Sequence, residues 1–386
     1  MLLKIPKFKR IAIVGAGPFG LAAARALSEE SKFYKFDKIT LYEKTSKVGG
    51  LWNYNKDEKK GDDVSPMYEF LETNILCEIM RYNNHPFANE NEITFPPREH
   101  VLNYLKSYAD KYINTDNITM SFNSKVESVV KKNHLEWEVV STNLLTGVVS
   151  TELFDAVVIA NGHFEKPYIP KVNGLDNWDS DCIIHAKNFK NADDYKNKLV
   201  LIVGDSSSGV DISTQLITTA KIIYVSYNCS LSEVETTKSN ENKFIKRLGK
   251  IIKYDYNDGR SIITVDGDNI KDIDNIIFCT GYLYHLPFLN LYNKPDDPYH
   301  LLDSNCDRVY NLYKQFIYIP DPTLFLLGLP MNVIPFSFGE SQSAIMVRLL
   351  SGRLSLPTKK EMYQDLANEE KKHAEMGNIV KIYNCG

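Results

Sequence analysis

A strand, a glycine-rich turn and a helix, met twice along 386 residues, predict an α/β protein with two Rossmann-like dinucleotide-binding domains, one inserted into the other. The first set is the apolar run Ile11 to Val14, the turn Gly15-Ala16-Gly17-Pro18-Phe19-Gly20 and the Ala-rich run Leu21 to Leu27. The second is Leu199 to Val203, the turn Gly204-Asp205-Ser206-Ser207-Ser208-Gly209 and a helix to about Ala220. A further buried strand, Ile276 to Cys279, ends in Thr280-Gly281-Tyr282 and returns the chain to the first domain.

In the first turn Gly15 bends the chain off the strand, Gly17 lets the backbone approach a pyrophosphate, and Gly20 lets helix and strand pack closely. The helix then offers its first N–H groups to the phosphates. A second strand, Ile39 to Tyr42, ends in Glu43, about 20 residues past the last glycine, where a carboxylate binds a ribose 2′-hydroxyl. Two such turns in one chain point to a redox enzyme using a flavin and a nicotinamide nucleotide.

From Thr45 to Pro97 the chain reads as a long irregular stretch carrying Gly49-Gly50-Leu51-Trp52 and Met67 to Phe87, a length that marks function in a compact domain. Arg98 to Ile113 has helical spacing, and Ile118 to Val149 reads as alternating strands around a turn at Thr146-Gly147. Phe154 to Ala160 is a continuous apolar strand ending in Asn161-Gly162-His163, after which Pro167, Pro170 and Gly174 break the chain. Ile222 to Val225 closes the second βαβ unit, and the polar segment Cys229 to Lys250 reads as a loop. Helices are expected at Gln342 to Leu350 and Lys359 to Met376. The expected domains are residues 1–164 with 279–386, and an insert of 165–278.

A content of 43% hydrophobic and 24% charged residues is that of a globular chain. The net charge of −4, without a long basic block, indicates neither nucleic acid nor an anionic membrane surface as a partner. The six cysteines show no CxxC pair and no zinc or secreted-disulfide spacing, so they read as reduced thiols of a cytoplasmic protein, with peripheral attachment to the endoplasmic reticulum as a second option. Only four apolar residues follow the basic Met1 to Arg10, too few for a signal peptide, and no stretch approaches 18 apolar residues, so no membrane span is expected. No His, Cys and acid cluster has metal-ligand spacing, and oligomeric state is left open.

Gly15 to Gly20, Gly49 to Trp52, Leu71-Glu72-Thr73-Asn74, Ala160-Asn161-Gly162-His163, Gly204 to Gly209 and Phe278 to Tyr282 together resemble the flavin-containing monooxygenases, in order and over nearly the whole chain. Met67 to Asn74 and Ile317 to Met346 are similar to the fungal branch of that family. The resemblance implies that FAD is bound by Gly15, Ala16, Gly17, Pro18, Phe19, Gly20, Glu43, Gly50, Leu51, Trp52, Thr73, Asn74, Ile75 and Gln342. NADPH, retained as NADP+, falls to Gly204, Asp205, Ser206, Ser207, Ser208 and Gly209. In the implied reaction the nicotinamide reduces the flavin, O2 adds to give a C4a-hydroperoxyflavin, and one oxygen passes to a soft nucleophile. The fungal likeness favours small thiols (glutathione, cysteine, cysteamine), with amines second. A Baeyer-Villiger enzyme and a nucleotide-binding scaffold that has lost turnover are the alternatives; a disulfide reductase lacks its cysteine pair.

Asn74 is the implied catalytic residue, its amide able to donate and accept without delivering a proton; as an isolated residue it equally reads as a turn cap. Trp52 reads as flavin wall or core, Ser208 as phosphate ligand or helix cap, and Gln342, at a helix start, as flavin contact, core or cap. His163 and His185 read as structural histidines, because the oxygen transfer needs no base. Asp272 and Asp274 read as solvent-facing. The pattern departs from the family at Trp178 to His185, at Ser206 in place of a glycine, and at Ser226-Tyr227-Asn228, where many relatives place a phosphate-binding arginine. Lys238, or another lysine of the Cys229 to Lys250 segment, is the candidate substitute for that arginine, as a point charge instead of a fork, with a solvated loop lysine as the more ordinary reading.

Overall fold

The computed structural model describes residues 8–56, 64–89, 91–113, 116–233, 245–294 and 296–375. The chain forms two compact units: Met1–Asn53, Ile75–His163 and Leu283–Cys385 make the first, while Tyr54–Asn74 and Phe164–Tyr282 make the second. The sequence reading kept Tyr54–Asn74 with residues 1–164; by its contacts this stretch packs with the second unit.

Strands are numbered along the whole chain. The first unit contains β1 (Arg10–Val14), β2 (Lys38–Tyr42), β3 (Ile118–Ser121), β4 (Ser124–Lys131), β5 (Trp137–Asn143), β6 (Val149–Phe154), β7 (Ala156–Ile159), β18 (Leu312–Tyr313), β19 (Ile317–Tyr318) and β20 (Leu324–Leu326). Its main sheet runs β18-β19-β20-β7-β1-β2-β3, parallel from β20 to β3. Alternate residues of β1 enter different cores, as a pleated strand requires. Ile11 and Ile13 meet α1 (Pro18–Glu30), α3 (Arg98–Tyr112) and α5 (Pro335–Leu350), whereas Ala12 and Val14 meet the antiparallel layer of β4, β5 and β6. Short α2 (Cys77–Met80) and α6 (Lys359–Glu375) are the other α-helices of this unit among the described residues.

The second unit is built on a fully parallel sheet, β12-β11-β10-β16-β9, of β9 (Ile183–His185), β10 (Leu199–Val203), β11 (Ile222–Ser226), β12 (Ile245–Leu248) and β16 (Asn275–Phe278). Val200 and Ile202 pack on α4 (Ser207–Leu216), and Leu201 faces Tyr254 and Ile262 in the small antiparallel sheet of β13 (Ile251–Asp255), β14 (Ser261–Thr264) and β15 (Asn269–Ile270). Two-residue strands β8 (Lys166–Pro167) and β17 (Tyr282–Leu283) lie where the chain passes between units. In each unit the central strand has its successor on one side and a later strand on the other, so β1 and β10 both end at a topological switch point, the place where such sheets bind ligands.

Several expectations change. The strand expected over Phe154 to Ala160 breaks at Asp155, whose carboxylate accepts the N–H groups of Lys9 and Arg10 and the Arg10 guanidinium. Helix α5 begins at Pro335, seven residues before the expected start, so Gln342 lies inside the helix and not at its beginning. Helix α4 ends at Leu216, short of Ala220. Within the expected loop Cys229 to Lys250, Ile245–Leu248 pairs in parallel with β11 as an edge strand. Lys238 lies outside the described residues. Asp274 is half-buried, accepting the Leu199 N–H at 2.9 Å and pairing with Arg260 at 3.1 Å.

Helix α1 is tied to the end of α5 by buried Glu30, which accepts from Ser351 Oγ at 2.6 Å and from Arg353 through Nε at 2.6 Å and Nη2 at 2.5 Å. Burial works to raise the pKa of this carboxyl, but the Arg353 and Ser351 bonds outweigh it and hold the group below its ordinary 4.5. A depressed folded pKa stabilises the fold above the unfolded value and is lost as pH falls through the folded one. Glu30→Gln is therefore expected to cost about 1–2 kcal/mol at pH 7. That difference should shrink on acidification below about 4.5, as urea unfolding of both proteins across pH will show.

Candidate active site

The first unit places the glycine turn at the carboxyl end of β1, and its glycines are set by contact. A Cβ on Gly15 would stand 2.5 Å from Ala160 O, and one on Gly20 would stand 1.8 Å from Gly15 O. Gly15 also has φ +104°, outside the range of most side chains. Gly17 is different: its φ is −76°, and an added Cβ would make only an ordinary 3.6 Å contact with Gly50 Cα. No side chain caps α1, whose N-cap is Gly17 and whose first residue is Pro18, so its first N–H groups point outward from the turn.

Glu43 closes this turn from the next strand. Its Oε2 accepts the Ala16 N–H at 2.8 Å, and Oε1 accepts the Thr45 N–H and hydroxyl, each at 2.9 Å. These bonds leave acceptor capacity on Oε2, compatible with the ribose role read from the sequence. The Ala16 carbonyl accepts the Gly49 N–H at 2.9 Å, which seats the 3-10 turn Gly50–Trp52 on the clamp. Gly50 has φ +55°, and a Cβ there would lie 2.9 Å from Gly17 Cα. Leu51 and Trp52 are half-buried, and Trp52 and Ile75 pack against the unit's core.

Gly328, which the sequence reading did not single out, joins α1 to α5. Its N–H donates to Gln342 Oε1 at 3.0 Å, its carbonyl accepts from His163 Nδ1 at 2.9 Å, and a Cβ would strike the Phe19 ring at 2.6 Å. Gln342 is buried, and its Nε2 has no hydrogen-bond partner; Asn53 Oδ1, beside Gly49, is likewise buried and unpaired. An unpaired buried amide costs about 1–3 kcal/mol unless a ligand satisfies it. The orphan donor on Gln342 and the orphan acceptor on Asn53 are of the kinds a flavin can pair with, since it carries both acceptors and donors.

The second unit repeats the turn atom for atom in its constraints. A Cβ on Gly204 would meet Cys279 O at 2.5 Å, and one on Gly209 would meet Gly204 O at 2.0 Å. The N-cap is Ser206 with φ −77° and ψ −172°, against −76° and −174° at Gly17. Its side chain makes no capping bond, and Ser208 lies within the helix, so the cap reading of Ser208 gives way to Ser206. Ser206, Ser207 and Ser208 are exposed and Asp205 is half-buried. Asn74 and Thr73 belong to this unit, and the Asn74 amide donates to Ser207 Oγ at 3.4 Å. Ser226 is buried, its hydroxyl donating to Gly249 O at 2.9 Å, which commits it to structure.

Both histidines are held by backbone. His185 Nε2–H donates to Gly281 O at 2.9 Å and its Nδ1 accepts the Lys187 N–H at 3.1 Å, while burial lowers its pKa to about 4. Burial likewise lowers the pKa of His163. Burial pushes the Cys279 thiol up to about 12, so it stays protonated. Among the described residues no group of His, Cys, Asp and Glu is placed to hold a metal ion, and no helix is long and apolar enough to cross a membrane.

The family model of flavin-binding monooxygenase-like proteins matches residues 8–236 and 248–383. The chain belongs to this family. As a flavin-binding monooxygenase it is 36% identical over 362 residues to the thiol-specific monooxygenase of Saccharomyces cerevisiae, covering 91% of this chain and 79% of that one. It is 31% identical over 375 residues to the Arabidopsis thaliana flavin-containing monooxygenase FMO GS-OX5, covering 92% and 77%. The structure of S-allyl-L-cysteine S-oxygenase from Allium sativum superposes with a TM-score of 0.83 at 30% identity, over 98% of this monooxygenase and 85% of that chain.

The contrast between Gly17 and Gly20 separates binding from folding. Gly20→Ala should destabilise the protein by several kcal/mol, because backbone has to shift. Gly17→Ala should leave the urea stability of the flavin-free protein within about 1 kcal/mol yet abolish flavin retention, since the methyl occupies the ligand's approach. Gly17→Ala purified with a full complement of flavin would refute the cradle.

Proposed function

We propose that this chain is an NADPH- and O2-dependent monooxygenase that holds FAD in its first unit and oxygenates small thiols, with amines as secondary substrates. The observation that carries the reading is the 36% identity, over 91% of the chain, to a relative named for thiol-specific monooxygenation. The Allium sativum relative, named for S-oxygenation of a cysteine derivative, supports sulfur as the acceptor. For a thiol the balance is NADPH + H+ + O2 + RSH giving NADP+ + H2O + RSOH.

FAD, when bound, supplies the electron transfer and oxygen activation. The chain's own residues bind and orient. Gly17 and Gly50 admit the pyrophosphate, Glu43 takes a ribose hydroxyl, and Gln342 Nε2 donates to a flavin acceptor. Leu51, Trp52 and Ile75 give the apolar wall that excludes water. In the second unit the first turn of α4, with Ser206, Ser207 and Ser208 after Gly204 and Asp205, receives the NADPH pyrophosphate. Asn74 orients the nicotinamide or the flavin by donating and accepting, with no proton to give. Since Ser226 is committed to Gly249 and is followed by Tyr227 and Asn228, the end of β11 offers a 2′-phosphate no arginine fork, which weakens the preference for NADPH over NADH.

The reading is tested on purified protein with FAD. Thiols should stimulate NADPH oxidation and be oxygenated in proportion, with amines slower and NADH usable at reduced efficiency. Protein that stays colourless after reconstitution with FAD sinks the enzyme, and turnover of ketones in place of thiols moves it to Baeyer-Villiger chemistry. Asn74→Ala should raise the hydrogen peroxide released per NADPH about 10-fold or more, the scale of losing one preorganised donor. Unchanged coupling would remove Asn74 from its role.

A further inference from the structure

Helix α4 carries Ser207, Asp211 and Gln215 at intervals of four, which stacks their side chains on one face. Every one of them holds the segment that ends in Asn74. The Asn74 amide donates to Ser207 Oγ at 3.4 Å, the Tyr68 hydroxyl donates to Asp211 Oδ2, and Gln215 Nε2 donates to Phe70 O at 3.2 Å and to Asp211 Oδ2 at 3.3 Å. Lys190 holds the same segment by donating from Nζ to Ser65 O at 2.8 Å and Met67 O at 3.3 Å, while its carbonyl accepts the Glu69 N–H at 2.9 Å.

Tyr68 is the anchor. It is buried, its ring stands edge-on to Phe189 with centroids 5.4 Å apart, and burial together with Asp211 raises its pKa so that the hydroxyl remains a donor. Packing alone does not call for this chemistry, because a phenylalanine would fill the same space without burying a hydroxyl beside a carboxylate. A buried hydroxyl held by a half-buried carboxylate fixes position more than it adds stability. The helix so engaged is the one whose first turn meets the coenzyme phosphates, and the residue at the end of the segment is Asn74.

We propose that Tyr68 and Asp211 are positioning residues, a latch through which the coenzyme helix α4 holds Asn74 where it acts. The proposal rests on the role given to Asn74 above. Nucleotide binding at Ser207 then steadies the helix turn and the strap 64–74 together, so coenzyme occupancy and the placement of Asn74 are coupled.

The test compares full-length, FAD-loaded Tyr68→Phe, Asp211→Ala, Asp211→Asn, Asn74→Ala and Tyr68→Phe/Asn74→Ala. Tyr68→Phe and Asp211→Ala should raise peroxide per NADPH by ~10-fold while the KM for NADPH moves less than about two-fold, the signature of misplacement without lost binding. Asp211→Asn keeps an acceptor for Tyr68 and should restore most of the coupling. The double variant should be no more uncoupled than Asn74→Ala, since both changes act through one amide. In FAD-free protein, NADP+ should slow amide hydrogen exchange over 66–74, and Asp211→Ala should abolish that response. Tyr68→Phe coupled like the parent, or uncoupling that multiplies in the double variant, overturns the latch while the role of Asn74 stands. Asn74→Ala coupled like the parent overturns both.

Discussion

The closest contact in each nucleotide turn is backbone on backbone, and the rest of the molecule is arranged around it. Gly15 O lies 1.8 Å from where a side chain would begin on Gly20, and Gly204 O lies 2.0 Å from the same point on Gly209. Each helix therefore rests directly on the turn that starts it. The turn in turn presses on the neighbouring strand's end, at Ala160 O in one unit and Cys279 O in the other. With both surfaces fixed, the helix N-terminus has to emerge at the switch point between parallel strands, where its free N–H groups meet an anion. The placement of each helix on its turn and on the neighbouring strand end thus depends on two missing Cβ atoms per unit.

That constraint is why so much was legible in the sequence. A glycine forced by a clash survives as a glycine in the string of letters, and the strand and helix around it carry unambiguous periods. What the sequence concealed had weaker local signals. Edge strand β12 is Ile-Lys-Arg-Leu, charged as exposed edges tend to be, and so it resembles a loop until its partner β11 is seen. The start of α5 has no capping side chain on Ile334, which hid seven residues of helix and moved Gln342 from a terminus to an interior. Asn53 and Gly328 were missed because nothing in their neighbours distinguishes them: one matters through an unpaired oxygen, the other through three contacts from distant parts of the chain. The allocation of Tyr54–Asn74 to the second unit was hidden for a related reason, since Tyr68 reaches Asp211 across 143 positions.

Fold and chemistry separate cleanly here. The family identifies an enzyme of flavin-dependent oxygenation, and each unit carries a parallel sheet whose central strand ends in a glycine turn. Choice of acceptor depends on side chains that the sheets merely carry, which is why the sulfur reading leans on relatives at 30% and 36% identity. The end of β11 is committed to the fold: Ser226 is turned inward, its hydroxyl donating to Gly249 O.

Both backbone polar groups of Ala16 are taken by protein, its N–H by Glu43 and its carbonyl by Gly49. The clamp is thus held open by its own hydrogen bonds and does not rely on a guest for its shape. Ordering entropy for this loop is lost when the chain folds, leaving little to lose on association. In this sense the turn is a preorganised receptor, its shape set by the same backbone bonds that fold it.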